Sequence, residues 1–205
     1  MELTAVEMLA LAGLVASGFV ATNVDNLLIL VILLGANAKR RSAVLLGFIA
    51  SAIAVICASA LGVGLGSLVG ANLIGYLGLV PLSLGSYMLY TAWRGGTQEA
   101  EQVDVVANPG EPGIWISTFV LMFSNSGDSI AVFLPLLAES ARTSLLLIIC
   151  TYLVMALSWA CLSYLISGQP SLAKRIEKRA EKIVPWVMIG VGAYILLDTA
   201  TDTLV

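Results

Sequence analysis

Residues 21–35 read ATNVDNLLILVILLG and residues 122–138 read MFSNSGDSIAVFLPLLA. Each stretch sets one aspartate, Asp25 or Asp128, among small polar side chains and follows it with an apolar run. The two aspartates stand 103 residues apart, so the chain carries the same pattern twice. Around them the sequence is mostly apolar: of 205 residues, 59% are hydrophobic and 11% charged. A soluble domain carries about 25% charged residues, so this chain has too few to cover itself in water. A membrane-spanning helix takes about 20 apolar residues, and six of them use roughly 120. The composition excludes a soluble enzyme, a disordered chain and a nucleic-acid binder. The net charge of −3 also argues against a polyanionic partner.

The patterning predicts an all-α polytopic membrane protein with spans at roughly 4–36, 43–69, 72–93, 114–138, 143–167 and 184–203. No run of short alternating segments points to an outer-membrane barrel. Cys57, Cys150 and Cys161 lie in apolar runs and form no CxxC pair, so neither a disulfide framework nor a zinc ribbon is indicated. Histidine, the commonest metal ligand, is absent. The N-terminus carries Glu2 and Glu7 and no basic region, so the first apolar segment reads as a retained helix rather than a signal peptide.

Residues 94–113 form an acidic, glycine- and proline-containing linker between a first half, 1–93, and a second half, 114–205. Residues 168–183 space Leu172, Ile176, Ala180 and Ile183 among basic residues, the pattern of an amphipathic helix lying on the membrane surface. Lys39, Arg40, Arg41, Arg94, Lys174, Arg175, Lys178, Arg179 and Lys182 fall on the joints after spans 1, 3 and 5; Arg142 is opposite. The positive-inside rule then puts those joints in the cytoplasm and both termini outside it, in a multi-pass protein of the plasma (inner) membrane. Trp93, Trp115 and Trp186 fall at the cytoplasmic span ends, as an aromatic belt requires.

The halves also match at their ends: Val80-Pro81 with Gly85-Ser86-Tyr87, and Val184-Pro185 with Gly192-Ala193-Tyr194. Three spans per half is an odd number, so the halves enter the membrane from opposite sides, the inverted-topology repeat found in secondary transporters. Gly62 and Gly66 have the spacing of close helix packing rather than of a nucleotide loop.

Asp25 and Asp128 lie about 18 Å and 21 Å from the cytoplasmic ends of spans 1 and 4, near the bilayer centre. An aspartate costs at least about 2.5–3.5 kcal/mol there, so it persists when paired, protonated or bound to a cation. Thr22, Asn23 and Asn26 around Asp25, and Asn125 and Ser129 around Asp128, supply neutral oxygens; Ser124 and Ser126 are further candidates. These are poor helix formers and Gly127 adds freedom, so spans 1 and 4 are both expected to be interrupted near the midplane. Pro81, Pro135 and Pro185 are candidate hinges. A divalent cation between two carboxylates is neutral, whereas an empty site holds two bare charges unless protons replace the metal. Exchange of a divalent cation for protons by alternating access follows, with no cofactor and no P-loop.

These residues resemble the cadmium resistance transporters of the CadD type within the LysE superfamily. The resemblance rests on ATNVDN in span 1, FSNSGDSIAVFLPLLA in span 4 and GVGAYILLD in span 6, and covers nearly the whole chain. In span 4 Asn125, Gly127, Asp128 and Pro135 match, while Ser126 and Ser129 stand where the family has Gly and Asn. The resemblance implies efflux of cadmium or a related divalent ion. An all-oxygen site suits harder ions, and Cys57, Cys150, Cys161 or Met122 would have to lend sulfur to favour a soft one. The alternatives are an exporter of basic amino acids or organic cations, and, at a distance, an intramembrane aspartyl protease, against which Ser126 and Val24 stand in the positions its motifs need. The expected partners are the divalent cation, protons and the lipid bilayer; a homodimer is left open by the sequence.

Overall fold

The computed structural model describes residues 4–68, 75–94, 113–140, 142–169 and 182–202, together with positions 171, 172, 175 and 179. Seven α-helices are present among them: α1 (Ala5–Ala36), α2 (Arg41–Leu68), α3 (Leu79–Trp93), α4 (Ile114–Ser124), α5 (Gly127–Glu139), α6 (Arg142–Ile166) and α7 (Val184–Asp202). A 3-10 turn at Gly75–Gly78 leads into α3, and no strand occurs among the described residues. Three helical stretches, Ala5–Ala36, Arg41–Leu61 and Ser144–Ile166, are long and apolar enough to cross a bilayer, and a fourth arises if α4 and α5 count as one bent span. The apolar part of α7, Val184–Leu197, is shorter.

Local chemistry sets the ends. Thr4 caps α1: its hydroxyl accepts from the Glu7 N–H and the Glu7 carboxylate accepts from the Thr4 N–H at 2.8 Å, satisfying two donors the helix itself leaves open. The α1–α2 joint is a tight turn in which Asn37 returns its N–H and its side-chain amide to the Leu33 carbonyl.

Of the two expected interruptions, one needs correction. Span 4 does break, between Ser124 and Gly127, with a 65° bend. Span 1 does not: α1 runs through Thr22–Asn26 without a break. Its polar side chains bond back to their own helix, Thr22 Oγ1 to the Gly18 carbonyl (3.1 Å) and Asn23 Nδ2 to the Phe19 carbonyl (3.0 Å). Pro81 lies just after the junction of the 3-10 turn with α3, and Pro185 lies in the first turn of α7. Pro135 sits in the interior of α5.

The chain packs in an interleaved manner. Helix α1 lies mainly against α6, and α2 mainly against α4 and α5, while α3 and α7 form a pair. Glycines let the backbones meet: a Cβ on Gly192 would stand 2.6 Å from Leu82 N, and one on Gly47 would stand 2.7 Å from the Thr118 Cβ. The core runs through α1 with Val15, Phe19, Leu27, Leu30 and Leu34, all at most 1% exposed. Large apolar side chains cover the outside, and Trp93, Trp115 and Trp186 are exposed at helix ends. The linker 95–112 and half of the basic segment 168–183 lie outside the described residues; Ser171, Leu172, Arg175 and Arg179 within that segment are helical and exposed.

Candidate ion site between the two halves

The bend in span 4 follows from four consecutive weak helix formers, Ser124-Asn125-Ser126-Gly127. Asn125 N–H still bonds the Leu121 carbonyl four residues back, Ser126 N–H steps to Phe123 three back, and regular bonding resumes from Ile130 to Ser126. Asn125 (φ −84°, ψ 0°) and Ser126 (φ −98°, ψ 20°) carry the turn. The chain then re-enters helix at Gly127, so Asp128 sits in the first turn of α5. A half-helix N-terminus favours negative charge by about 0.3–1 kcal/mol, and the Ser129 N–H donates to Asp128 Oδ1 at 2.7 Å.

The turn aims Asn125 and Ser129 at α1. Asn125 Nδ2 donates to Asp25 Oδ2 (2.7 Å) and to Asn26 Oδ1 (2.9 Å). Asn26 Nδ2 donates to Asn23 Oδ1 (3.1 Å), and Asn23 Nδ2 to Ser129 Oγ (3.2 Å). The Ser129 hydroxyl donates to Thr22 Oγ1 (2.9 Å), which passes its own proton to the Gly18 carbonyl. One connected polar network therefore links residues about 100 positions apart in the chain. Thr22, Asn23, Asn26, Ser126 and Ser129 are buried, while Asp25, Asn125 and Asp128 are half-buried. Asp25 meets the α4–α5 turn through Asn125, and Asp128 stands three residues further along that turn. The network holds no basic side chain, so nothing in it neutralises the pair as a built-in counter-charge.

Of the residues singled out from sequence, Thr22, Asn23, Asp25, Asn26, Asn125, Asp128 and Ser129 come together. Ser126 lies beside them but donates its hydroxyl to the Met122 carbonyl (2.6 Å), and Ser124 is exposed. Gly127 is exposed with open space around it, so the turn requires its weak helix propensity and not a close approach. Met122 is buried in the core, 1% exposed. Cys57, Cys150 and Cys161 are exposed thiols outside the network, which leaves the cluster built from oxygen and amide groups. Among the described residues no three His, Cys, Asp or Glu side chains gather into a metal-holding group. Two carboxylates plus neutral oxygens is thus the donor set on offer, one that suits a passing cation better than a resident soft metal.

Two residues of α6 adjoin the network and were not singled out. Tyr152, 1% exposed, wedges between Phe19 of α1 (5.1 Å between ring centroids) and Phe133 of α5 (4.9 Å), both edge-on. Trp159 donates its indole N–H to the main-chain carbonyl of Asn23 at 2.8 Å. A sequence signal for Trp159 existed: it lies in mid-span, whereas membrane tryptophans favour the interface, and a buried indole needs an acceptor.

No curated protein and no solved structure matches significantly. Residues 19–205 match the family described as cadmium resistance transporter, a stretch that includes both aspartates, the bent span and the aromatic wedge. That description implies metal-ion transport across a membrane rather than catalysis, in keeping with the apolar helices. The chain belongs to the cadmium resistance transporter family.

Proposed function

We propose that the protein is a secondary transporter that exports a divalent cation, Cd²⁺ or a related ion, by alternating access in exchange for protons. In this reading Asp25 and Asp128 hold the ion between two inverted three-span repeats, assisted by oxygens of Thr22, Asn26, Asn125 and Ser129. The observation that carries it is the reciprocal bonding across the site. Shifted by 103 residues, Thr22 becomes Asn125 and Asn26 becomes Ser129, so the Asn125–Asn26 bond and the Ser129–Thr22 bond are one interaction made twice. Likewise Asn23 and Ser126 each bond back to a carbonyl four residues earlier. The helix pairing follows the same exchange: span 1 packs on span 5 as span 4 packs on span 2, and spans 3 and 6 pair with each other. Cys57-Ala58-Ser59 and Cys161-Leu162-Ser163, 104 residues apart, repeat within spans 2 and 5. Such a relation supports an inverted repeat with its ligands at the shared axis.

Electrostatics supplies the coupling. Two ionised carboxylates in a low-dielectric seam are costly, and a divalent cation or two protons removes that cost equally. Only the neutralised forms can then be carried across, which ties metal release on one side to proton uptake there. The basic joints put both termini outside the cytoplasm, so loading from the cytoplasm is export. The test is Cd²⁺ movement in proteoliposomes with a pH-sensitive dye inside. Cd²⁺ flux should run opposite to proton flux and vanish in Asp25→Asn and in Asp128→Asn. Flux that ignores a pH gradient would remove the exchange, and full activity in either variant would remove the site.

A further inference from the structure

We propose that Trp159 is a positioning residue for the ion site: by holding the Asn23 carbonyl it keeps α1 whole and sets the rotation that turns Asp25 toward Asp128. The inference rests on the two-aspartate reading above. Of the four tryptophans, Trp93, Trp115 and Trp186 are 92%, 47% and 62% exposed, while Trp159 is 8% exposed. Its N–H reaches across 136 positions of sequence to a carbonyl in the middle of α1, two residues from Asp25. In an unbroken helix that carbonyl already accepts from the N–H four residues on, so the indole takes its remaining lone pair.

Two consequences follow. With both lone pairs engaged, the Asn23 carbonyl is closed to a cation, and α1 offers side-chain oxygens only. The exposed backbone of the site is then confined to the α4–α5 break. The indole also anchors rotation. Successive residues of a helix differ by about 100° in direction, so a small turn of α1 would swing Asp25 out of the seam. Phe19, one turn before Asn23, is held edge-on by Tyr152 (5.1 Å) and by Trp159 (5.9 Å), side chains two turns apart on α6. At the far end a Cβ on Gly35 would stand 3.2 Å from the Ser167 carbonyl, so α1 and α6 stay close along their length. The ring contacts resist separation, but the directional N–H bond is what fixes one face of α1.

The experiment is Cd²⁺ titration of the full-length protein in nanodiscs, followed by calorimetry and tryptophan emission. Wild type should show a change in the blue-edge emission of the buried indole that saturates with the heat, and Asp25→Asn should show neither. Trp159→Phe should bind Cd²⁺ roughly 3- to 10-fold more weakly at unchanged stoichiometry, the effect of one net hydrogen bond. Replacing Trp159 with 3-benzothienylalanine, which keeps shape but lacks the N–H, should do the same even if the Phe variant folds poorly. Phe19→Leu, which loosens the packing and keeps the N–H bond, should lower the melting midpoint but leave Kd within about twofold. Wild-type Kd in the benzothienyl variant, or an equal loss in Phe19→Leu, overturns the proposal alone. A wild-type protein that binds no Cd²⁺ overturns the ion-site reading first and this one with it.

Discussion

Asn125→Asp probes the empty site with one atom changed. Asn125 Nδ2 donates to Asp25 Oδ2 and to Asn26 Oδ1, and the substitution turns that donor into a third negative oxygen facing Asp25. A hydrogen bond to a charged group contributes about 1.5–3 kcal/mol and a neutral one about 0.5–1.5, so the metal-free protein should lose roughly 2–4 kcal/mol. For a chain of this size each kcal/mol shifts the melting midpoint by about 2–4 °C, which predicts a fall of about 5–15 °C. Acidification should recover part of it, because protonating one carboxylate both removes the repulsion and restores a donor. Divalent metal should recover more, since the extra carboxylate adds to the cation's ligands; ligand at 100 times Kd stabilises by about 2.7 kcal/mol even before that gain. The assay is thermal unfolding in detergent at pH 7 and pH 5, with and without Cd²⁺. The reasoning is refuted if the metal-free variant melts within about 2 °C of wild type at pH 7, or if Cd²⁺ raises it no more than it raises wild type.

Other outcomes follow from the same geometry. Replacing Cys57, Cys150 and Cys161 together with Ser should leave Cd²⁺ transport unchanged, because all three thiols are exposed outside the network; loss of transport would bring sulfur back into the site. Gly192→Ala should lower stability by about 1–3 kcal/mol, since its Cβ would press on Leu82 N at 2.6 Å, and unfolding curves measure this directly. Ser129→Ala cuts the links to Thr22 and Asn23 while sparing both carboxylates, so metal affinity should fall far less than in Asp128→Asn, as read by calorimetry.

Much of the fold was legible because lipid imposes a simple code. Apolar runs of spanning length predicted helices at 4–36, 43–69 and 143–167, and the structure has them within two residues. The break in span 4 was legible too, since Ser-Asn-Ser-Gly is weak as a helix whatever surrounds it. The same inference failed for span 1. Thr22 and Asn23 have equally modest propensity, but the Asn23 carbonyl gains an indole N–H from α6. Helix propensity is a local quantity, and the partner that outweighed it comes from another helix.

Sparse charge by itself determined that the chain lives in a membrane, because too few charged side chains exist to cover it in water. The duplicated aspartates by themselves determined where function had to be sought, because a carboxylate deep in an apolar span needs a partner. Only the tertiary structure decided who that partner is. The return of Asn125 to Asp25 and the placing of the three thiols outside the network both depend on how helices distant in sequence pack. Hydropathy is summed along the chain and survives in the sequence. Hydrogen bonds are directional, and their partners exist only once α1, α4 and α6 stand side by side.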